Sequence, residues 1–439
     1  MGLLIPILTA SWAEFLFDLY IGYRQYGVHK KHEKRPDEVK ELISEEDYAK
    51  ARSYKLDRHT FGFIKGIFDQ LVLTVKILSK YLPTLWYTSQ DYPFSLATFI
   101  LLNMICDTIV DLPWELYSTF VIEEAHGFNK QTPGFFFVDL AKKLAITGAI
   151  TVPIMYAVEW IVSGGGPYFF LYLWAFLSVA TLLLTIIYPA FIAPIFDSYI
   201  PLPEGELKKR IEALASSVSF PLTKLYVVYG SKRSSHSNAY MYGFWKSKRI
   251  VLYDTLLSGE EREKVVTSLN ELGQKVELSE KDKEKGVKDD EIVAILGHEL
   301  GHWALYHTLQ MLFIGELNLL IVFSISSYFY NWTALYEAFG FHDQPVLIGL
   351  MLVMQYILGL FQKIVSIATT VRSRTAEFQA DEYAQKMGYG KYLISGLIKL
   401  GTDNLSMPID DPLYSWCTHS HPPIIERVAR LRELDQKKE

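Results

Sequence analysis

Long apolar segments alternate with polar connections along most of this chain. A helix that spans a bilayer needs about 20 consecutive, predominantly apolar residues. Glu14 and Asp18 interrupt the first such segment, which also lacks a charged start and a cleavage site, so we interpret it as a retained span and not as a signal peptide. The pattern predicts seven transmembrane helices, at about 3–23, 61–87, 93–122, 135–162, 167–195, 305–330 and 345–371.

Ionisable residues occur within or at the ends of these apolar segments. A charge that faces lipid costs about 3 kcal/mol or more, so those in mid-span are expected to face one another or water. Those near helix ends can extend to the interface. The pattern predicts a bundle with a wet interior. The residues are Glu14, Asp18, Lys65, Asp69, Lys76, Asp107, Asp111, Glu115, Lys142, Lys143, Glu159 and Glu316.

The basic residues predict the orientation of the bundle. The connection 24–60 is rich in Lys and Arg, whereas the stretches "SQDY", "SGGG" and "NWTALYEAFGFHDQ" on the opposite side contain neither. Basic connections stay on the cytosolic side of a membrane. We therefore expect the first connection, the region 197–297 and the C-terminal tail in the cytosol, and Met1 on the far side.

A polar insertion at 197–304 separates spans five and six. Its stretches "GELKKRIEALASSVSF" and "SGEEREKVVTSLNELGQKVEL" predict helices, and "KLYVVYG" and "RIVLYD" predict short strands. The charged run 279–291 predicts a surface loop, followed by a helix in "EIVAILGHELGHWALYH". The fold class is mainly α with a small β-sheet. We divide the chain into spans one to five (1–196), a cytosolic domain (197–304), spans six and seven (305–371) and the remainder of that domain (372–439).

The last of these helices contains the pattern H-E-x-x-H at His298, Glu299 and His302. Residues four apart lie on one face of a helix, so the two imidazoles can bind one Zn²⁺ ion. The intervening Glu299 is placed to take a proton from water activated by that metal. The pattern therefore indicates a hydrolytic zinc site.

A catalytic zinc site needs a third protein ligand and leaves the fourth position open. The extended H-E-x-x-H-x-x-G-x-x-H pattern is absent, because Leu305 and Thr308 replace its Gly and last His. The best candidate ligand is Glu377 in "SRTAEFQADEYAQKMG", with Asp381 one turn later as a partner that orients a ligand histidine. Small residues on this helix permit close packing against a second helix: Ala376, Ala380 and Ala384.

Composition narrows the function further. Of the 439 residues, 50% are hydrophobic and 21% are charged, which suits a membrane protein with a polar domain. The formal net charge is −6, and no basic surface interleaved with aromatic residues is evident, so we expect no nucleic-acid partner. Cys106 and Cys417 are the two cysteines, which excludes a disulfide framework and a cysteine-rich zinc site.

The chain closely resembles the type I CAAX prenyl proteases, the family of the yeast Ste24 protease and of the zinc metalloprotease that processes prelamin A. The resemblance covers almost the whole chain. It rests on "PFSLATFILL", "FVIEEAHGFNKQT", "YPAFIAPIFD", "SSHSNAYMYGFWKSKRIVLYDTLL", "AILGHELGHW", "EFQADEYA" and "SHPPIIERV".

This resemblance implies roles for the motif residues. His298, His302 and Glu377 would bind one Zn²⁺ per chain, and Glu299 would be the catalytic acid and base. Asp381 would have a supporting or proton-donating role. The implied fold is a ring of seven tilted helices around a large water-filled chamber, onto which a gluzincin-like zinc site opens.

Two further segments acquire candidate roles from the resemblance. In "HSNAYMYG", Asn238 and Ala239 are candidates for an edge strand that aligns an extended peptide; the alternative is an internal strand. In "SHPPIIERV", His421 could donate to an oxyanion, or the segment could only begin a helix after its two prolines. Arg427 could bind a carboxylate or brace Asp381. We also considered His236 and His419 as weaker candidates and expected His307 to be structural.

The resemblance further implies the substrate and location. The family removes the last three residues of farnesylated proteins that end in C-a-a-X, and some members cut the same substrate a second time, upstream. The partners would then be prenylated proteins or peptides and membrane lipid. The expected location is the endoplasmic reticulum membrane and the inner nuclear membrane.

Two alternatives compete with this interpretation. One is a membrane quality-control protease similar to bacterial HtpX or the mitochondrial Oma1 proteases, against which the chain length and "FVIEEAHGFNKQT" count. The other is a non-enzymatic membrane scaffold braced by zinc. Glu299 argues against a scaffold, because structural zinc sites fill all four positions with protein ligands.

Overall fold

The computed structural model describes residues 2–244, 247–274 and 276–437, so Met1 and its expected position lie outside the described residues. The chain is mainly helical. Eighteen α-helices occur in the described residues: α1 Leu4–Lys31, α2 Glu45–Leu78, α3 Tyr81–Ser89, α4 Ser95–Tyr117, α5 Pro133–Gly164, α6 Phe169–Ile187, α7 Ala193–Phe196, α8 Glu206–Ser217, α9 Gly259–Glu271, α10 Glu280–Lys283, α11 Asp289–Ala304, α12 His307–Phe329, α13 Thr333–Phe339, α14 Val346–Leu352, α15 Gly359–Lys386, α16 Gly390–Asp403, α17 Pro412–Thr418 and α18 Ile424–Gln436. Stretches of π-helix extend α4, α6 and α14, at Ser118–Glu123, Tyr188–Ile192 and Val353–Ile357.

Several helices are long and apolar enough to cross a membrane. In the described part of the chain there are five: Leu4–Lys31, Ser95–Glu123, Pro133–Gly164, Gly166–Phe196 and His307–Phe329. A sixth is present if Val346–Ile357 and Gly359–Lys386, which are bent by 61°, form one span. The chain is therefore a multi-pass membrane protein, but length and composition do not confirm seven spans.

The predicted and observed numbers of membrane spans differ at the segment 61–87. The structure divides it between α2 and α3, with the break at Ser79 and Lys80. Lys80 has a φ of 56°, in the left-handed region, which ends the first helix. The apolar part of α2 also carries Lys65, Asp69 and Lys76, so by composition this helix is too polar to count as a membrane span.

Charged residues of the membrane helices pair with one another, as the sequence led us to expect. Lys65 Nζ lies 3.1 Å from Asp111 Oδ1, and Lys76 forms an ion pair with Asp107. The first and last of the long helices are joined in the same way, because Lys363 Nζ lies 2.6 Å from Asp18 Oδ2. Pairing reduces the cost of placing these charges among apolar helices.

The polar domain contains a mixed sheet of four strands in the order β1-β2-β4-β3, where β1 is Tyr199–Pro201, β2 Leu222–Val228, β3 Ala239–Phe244 and β4 Ser247–Tyr253. Strand β2 is antiparallel to β1 and parallel to β4, and β3 is antiparallel to β4. The strands predicted from "KLYVVYG" and "RIVLYD" are therefore confirmed. Strand β3 lies at an edge, which decides between the edge strand and internal strand left open by the sequence.

Helix α11 lies in the core of this domain. Ile292, Leu296 and Leu300 are fully buried and pack with residues of the sheet and of α8, α15 and α16. The charged run that precedes α11 is not entirely a loop, since it contains the short helix α10 and the first turn of α11. A buried helix with many apolar partners is a rigid support for side chains at its end.

Helices α11 and α15 approach closely because the contacting residues are small. A Cβ atom added at Gly301 would lie 3.2 Å from both Cα and O of Ala380 and 3.1 Å from Cβ of Tyr383. Ala380 and Ala384 on α15 are fully buried, which confirms the close packing predicted from the alanine spacing. This approach brings the H-E-x-x-H helix against the helix that carries Glu377.

We expect Gly301→Val to destabilise the protein by about 1–3 kcal/mol, since its side chain would overlap the backbone of Ala380, which cannot move aside. A matched control is Gly297→Ala, whose Cβ would meet Tyr389 at 3.4 Å, an ordinary contact. Thermal unfolding in detergent should show a lower Tm for Gly301→Val only. Equal Tm values for the two variants would show that the helices do not need this close approach.

Candidate metal centre

Two histidines on adjacent turns of α11 point to one place. The Nε2 atoms of His298 and His302 lie 3.1 Å apart. His298 is buried, and His302 is partly accessible. Because the two residues are four apart on a helix, their rings converge as the sequence predicted.

Glu377 on α15 completes the group. Its Oε1 lies 3.2 Å from His302 Nε2, and its Oε2 lies 3.5 Å from His298 Nε2. Ligands bound tetrahedrally to Zn²⁺ at about 2.0–2.1 Å are about 3.3–3.4 Å from one another. The two imidazole nitrogens and the Glu377 carboxylate therefore lie at about the spacing that such an ion requires, and these residues fit a metal.

Asp381 and Arg427 support the first histidine from behind. Asp381 Oδ1 lies 2.8 Å from His298 Nδ1, so that carboxylate holds the ring with Nε2 facing the metal position. Arg427 donates two hydrogen bonds to Asp381, from Nε at 2.8 Å and from Nη2 at 2.6 Å. All three side chains are buried. Of the two roles that the sequence left open for Arg427, the structure displays the contact with Asp381.

These carboxylates change the proton affinity of His298. Burial and the Arg427 guanidinium both lower its pKa. Hydrogen bonds to Asp381 and Glu377 outweigh them, so the pKa of His298 is raised from 6.5 to about 9. In the metal-free protein the ring therefore carries a proton at neutral pH, which a metal ion must displace.

A second chain of hydrogen bonds, which the sequence did not reveal, orients His302. His307 Nε2 lies 3.0 Å from Gln379 Oε1, and its Nδ1 lies 2.9 Å from His302 Nδ1. Because the Gln379 oxygen can only accept, neutral His307 donates from Nε2 and accepts at Nδ1. His302 must then donate from Nδ1, which leaves its Nε2 lone pair free for a metal.

The sequence contained only an indirect signal for the hydrogen bonds that join Gln379, His307 and His302. His307 lies one residue beyond a helix break, and Tyr306 adopts a left-handed φ of 58° there. Gln379 lies two residues after Glu377, so only the docking of α15 on α11 brings the two side chains together. The sequence predicts a structural role for His307, and its contact with His302 gives it such a role at the candidate site.

Glu299 directly follows His298 on α11, the helix that carries both histidines. It is half-buried, and no residue in the described part of the chain forms a hydrogen bond or ion pair with it. It is not one of the three residues whose donor atoms group together. A carboxylate without a protein partner can exchange protons with water.

His421 reaches the site from the segment before α18. Its Nδ1 lies 2.9 Å from Glu377 Oε2, and its side chain is 69% exposed. Pro422 and Pro423 precede the first residue of α18, so the segment also begins a helix, as the alternative interpretation proposed. An exposed imidazole anchored beside a candidate ligand can donate toward an incoming substrate.

Asn238 and Ala239 lie at the start of the edge strand β3, which contacts α11. Ala239 pairs with Leu252 on its inner side, and no strand among the described residues pairs with its outer side. The preceding residue, Ser237, is held at both its N–H and its carbonyl by the side chain of Asn404, at 3.0 and 3.2 Å. No pattern in the sequence indicated these hydrogen bonds of Asn404.

The two weaker candidates lie away from the metal position. His236 stacks on Phe128 with ring centroids 3.8 Å apart and contacts Glu123 and Asn404. His419 Nδ1 lies 3.8 Å from Asp410 Oδ2. Neither histidine belongs to the group of donor atoms at His298.

A large cavity of about 1120 Å³ opens beside the site. His421 and Arg427 form part of its wall, together with residues of α1, α2 and α16. A second cavity of about 430 Å³ lies between α4 and α5 and is lined by Asp107, Asp111 and Glu115. The large cavity therefore adjoins the candidate metal site through His421, which contacts Glu377, and Arg427, which contacts Asp381.

Membrane helices together with a group of three metal ligands and a neighbouring glutamate define a class of protein, the membrane-embedded metallopeptidases. A metal with three protein ligands keeps a position open for water, and a glutamate can take the proton of that water. Residues 25–198 match the family model of the CAAX prenyl protease N-terminal region with five membrane helices, and residues 201–435 match that of peptidase family M48. The chain belongs to the CAAX prenyl proteases of peptidase family M48.

Individual relatives agree with this assignment along nearly the whole chain. The CAAX prenyl protease 1 homolog of Caenorhabditis elegans is 59% identical over 431 residues, which are 98% of each chain. The Homo sapiens homolog is 42% identical over 456 residues and aligns with 98% of this chain and 95% of its own. The crystal structure of S. mikatae Ste24p has a TM-score of 0.86 and 35% identity, covering 97% of this chain and 98% of its own.

The family assignment makes the chain a CAAX-processing metalloprotease and favours this interpretation over the zinc-braced scaffold. The match to the CAAX-specific N-terminal region also favours it over a quality-control protease similar to HtpX or Oma1. The peptidase family implies a metal, and the described residues contain the His298, His302 and Glu377 group to hold it.

We expect His307→Phe to weaken metal affinity by about 10- to 100-fold, because His302 would lose the hydrogen bond that fixes its tautomer. Competition with a chromophoric chelator measures this affinity directly. His342→Phe, at an exposed histidine outside the group, is the control. Unchanged affinity in His307→Phe would show that the chain to Gln379 does not orient the ligand.

Metal binding at pH 7.5 should release about one proton, since the His298 pKa of about 9 lies above this pH. The affinity should rise about tenfold per pH unit up to that pKa and then level off. Titration calorimetry of the metal-free protein in buffers of different ionisation enthalpy counts the protons. If metal binding at pH 7.5 releases no proton, the raised pKa of His298 is contradicted.

Proposed function

We propose that this CAAX-processing protease is a zinc endopeptidase that removes the last three residues of farnesylated proteins ending in C-a-a-X. The observation that carries the proposal is the group of donor atoms at His298, His302 and Glu377, with Glu299, half-buried and without a protein partner in the described residues, next to His298 on the same helix. The family assignment supports the prenylated substrate class, because its relatives are CAAX prenyl proteases.

Zinc is the metal we propose for His298, His302 and Glu377. Two imidazole nitrogens and one carboxylate suit Zn²⁺, and a zinc site with three protein ligands would leave its fourth position for water or substrate. A bound zinc ion would supply Lewis acidity toward a peptide carbonyl and make water more acidic. Asp381 and Arg427 keep the first ligand oriented.

The remaining side chains handle protons and charge. Glu299 accepts a proton from the attacking water and later delivers it to the leaving amine of the tripeptide. His421 is exposed at the cavity wall and donates a hydrogen bond toward the oxyanion that forms on the peptide carbonyl. We assign Asp381 a positioning role, since its oxygens are occupied by His298 and Arg427.

The substrate chain is proposed to bind as an added strand. The free edge of β3 begins at Asn238 and Ala239 and contacts the H-E-x-x-H helix. An extended peptide on such an edge gains main-chain hydrogen bonds that do not depend on its side chains. This mode of binding accommodates varied a-a-X sequences and a second, upstream cut of the same substrate.

We propose seven spans around a water-filled chamber, with α2 and α3 supplying the second span and the bent pair at 346–386 supplying the last. The paired charges and the two cavities support a wet interior. The domain division at 1–196, 197–304, 305–371 and 372–439 follows from it. The polar domain would face the cytosol from the endoplasmic reticulum or inner nuclear membrane, where membrane-anchored substrates can reach the chamber.

The decisive experiment is cleavage of a farnesylated C-a-a-X peptide by protein in detergent, with zinc content matched between variants. We expect Glu299→Gln to retain zinc and lose at least about 100-fold in kcat, because no other side chain replaces the proton acceptor. Glu382→Gln, at a residue paired with Lys386 on the surface of α15, should retain activity.

Release of the tripeptide by zinc-loaded wild type and not by Glu299→Gln would establish both the reaction and its base. If zinc-loaded wild type releases no tripeptide, the proposed substrate class is wrong. If Glu299→Gln retains wild-type kcat, the proton acceptor lies elsewhere.

A further inference from the structure

The wall of the large cavity contains charged side chains that face the same enclosed space as His421. Most of them are paired. Asp18 is joined to Lys363, and Arg58 Nη1 lies 3.5 Å from Glu123. Arg427 is joined to Asp381, as described above. These charges are neutralised within the protein and need no ligand.

Among the Lys and Arg side chains of this wall, Lys55 is the exception. It lies on the first half of α2, before the predicted second span, and lines the cavity. In the described part of the chain, no side chain or carbonyl accepts a hydrogen bond from its ammonium group, and no carboxylate lies in ion-pair contact with it. The ring of Tyr54 lies near it, with its centroid 5.8 Å from Nζ.

The described groups around Lys55 do not form an ion pair with its ammonium group. Burial lowers the pKa of both His59 and His419 to about 4, so these rings are neutral at pH 7. Asp410 is close enough to influence Lys55, but Gln25 donates a hydrogen bond to it and it does not contact the lysine. Burial also lowers the pKa of Lys55, and the charges of Asp410 and Glu123, which raise it, compensate for this burial only in part. A bound anion would complete the compensation.

The dimensions of the cavity select the anion. A volume of about 1120 Å³ is that of a sphere about 13 Å across, and an extended tripeptide spans about 10 Å. His421 marks the end of this space near the metal site. A peptide cut there would place three residues, and then its terminal carboxylate, within the same cavity.

We propose that Lys55 binds the C-terminal carboxylate of the substrate and thereby sets the distance from that terminus to the cleaved bond. This inference rests on the proposed tripeptide-releasing function and deepens it. The α-carboxylate is the one anionic group that every substrate of this class carries regardless of its a-a-X side chains. A cavity lysine that forms no ion pair with the described residues is a suitable partner for it.

The test compares two farnesylated peptides that differ only at the C-terminus, one a free acid and one an amide. Each is assayed with wild type, with Lys55→Met and with the control Lys50→Met, at matched zinc content. Lys50 lies on the same helix but is exposed and paired with Glu46. Methionine keeps the length of the lysine side chain and removes its charge.

We expect wild type and Lys50→Met to prefer the acid by about 10- to 100-fold in kcat/KM, mainly through KM. Lys55→Met should cleave the acid no better than the amide, while its rate on the amide stays near that of wild type. The retained amide rate distinguishes loss of carboxylate binding from misfolding, because a misfolded variant would lose both substrates.

Each other outcome is informative. If wild type cleaves acid and amide equally, no carboxylate subsite exists, although the proposed peptidase function stands. If Lys55→Met keeps the preference for the acid, another group binds the carboxylate. If wild type cleaves neither peptide, the proposed function fails before the subsite is in question.

Discussion

The contact between Gly301 of α11 and Ala380 of α15 sets the distance between the two helices that carry the candidate ligands. At this distance His302 and Glu377 meet at 3.2 Å, which is the spacing of two ligands on one metal ion. A side chain larger than Ala at the contact would widen the gap, and the donor atoms would no longer share an ion. The geometry of the site therefore depends on a steric constraint outside it.

Supporting hydrogen bonds then fix the rings that this packing brings together. His298 is held by Asp381 and Arg427, and His302 is held by His307. Each ring has one nitrogen engaged by protein and the other directed at the metal position. Most of this network is buried, so each polar group needs a partner, and removal of one leaves another unsatisfied. This arrangement leaves Glu299 as the acidic group free to exchange protons.

The membrane helices contribute an enclosed space to this chemistry. Ion pairs such as Lys363 with Asp18 join distant parts of the chain and neutralise charges among apolar helices. The cavity that they help to enclose reaches from the first two long helices to His421. The proposed hydrolysis of a lipid-anchored chain needs both water and proximity to the membrane, and we propose that this cavity provides the two together. In this space Lys55, which has no ion-pair partner in the described residues, acquires its proposed role.

The sequence alone determined the parts of the protein that depend on local spacing. The H-E-x-x-H pattern placed His298 and His302 on one helix face, and alanines around Glu377 indicated where the third donor would pack. Apolar segments predicted most of the helices, and alternating apolar and polar residues predicted both central strands, because these patterns are also local. The tertiary structure decided what depends on residues distant in sequence: the break in the second span, the edge position of β3, the contact of His307 with His302, and the isolation of Lys55. These features follow from how helices dock, and a pattern within one helix does not encode the partner that another helix brings.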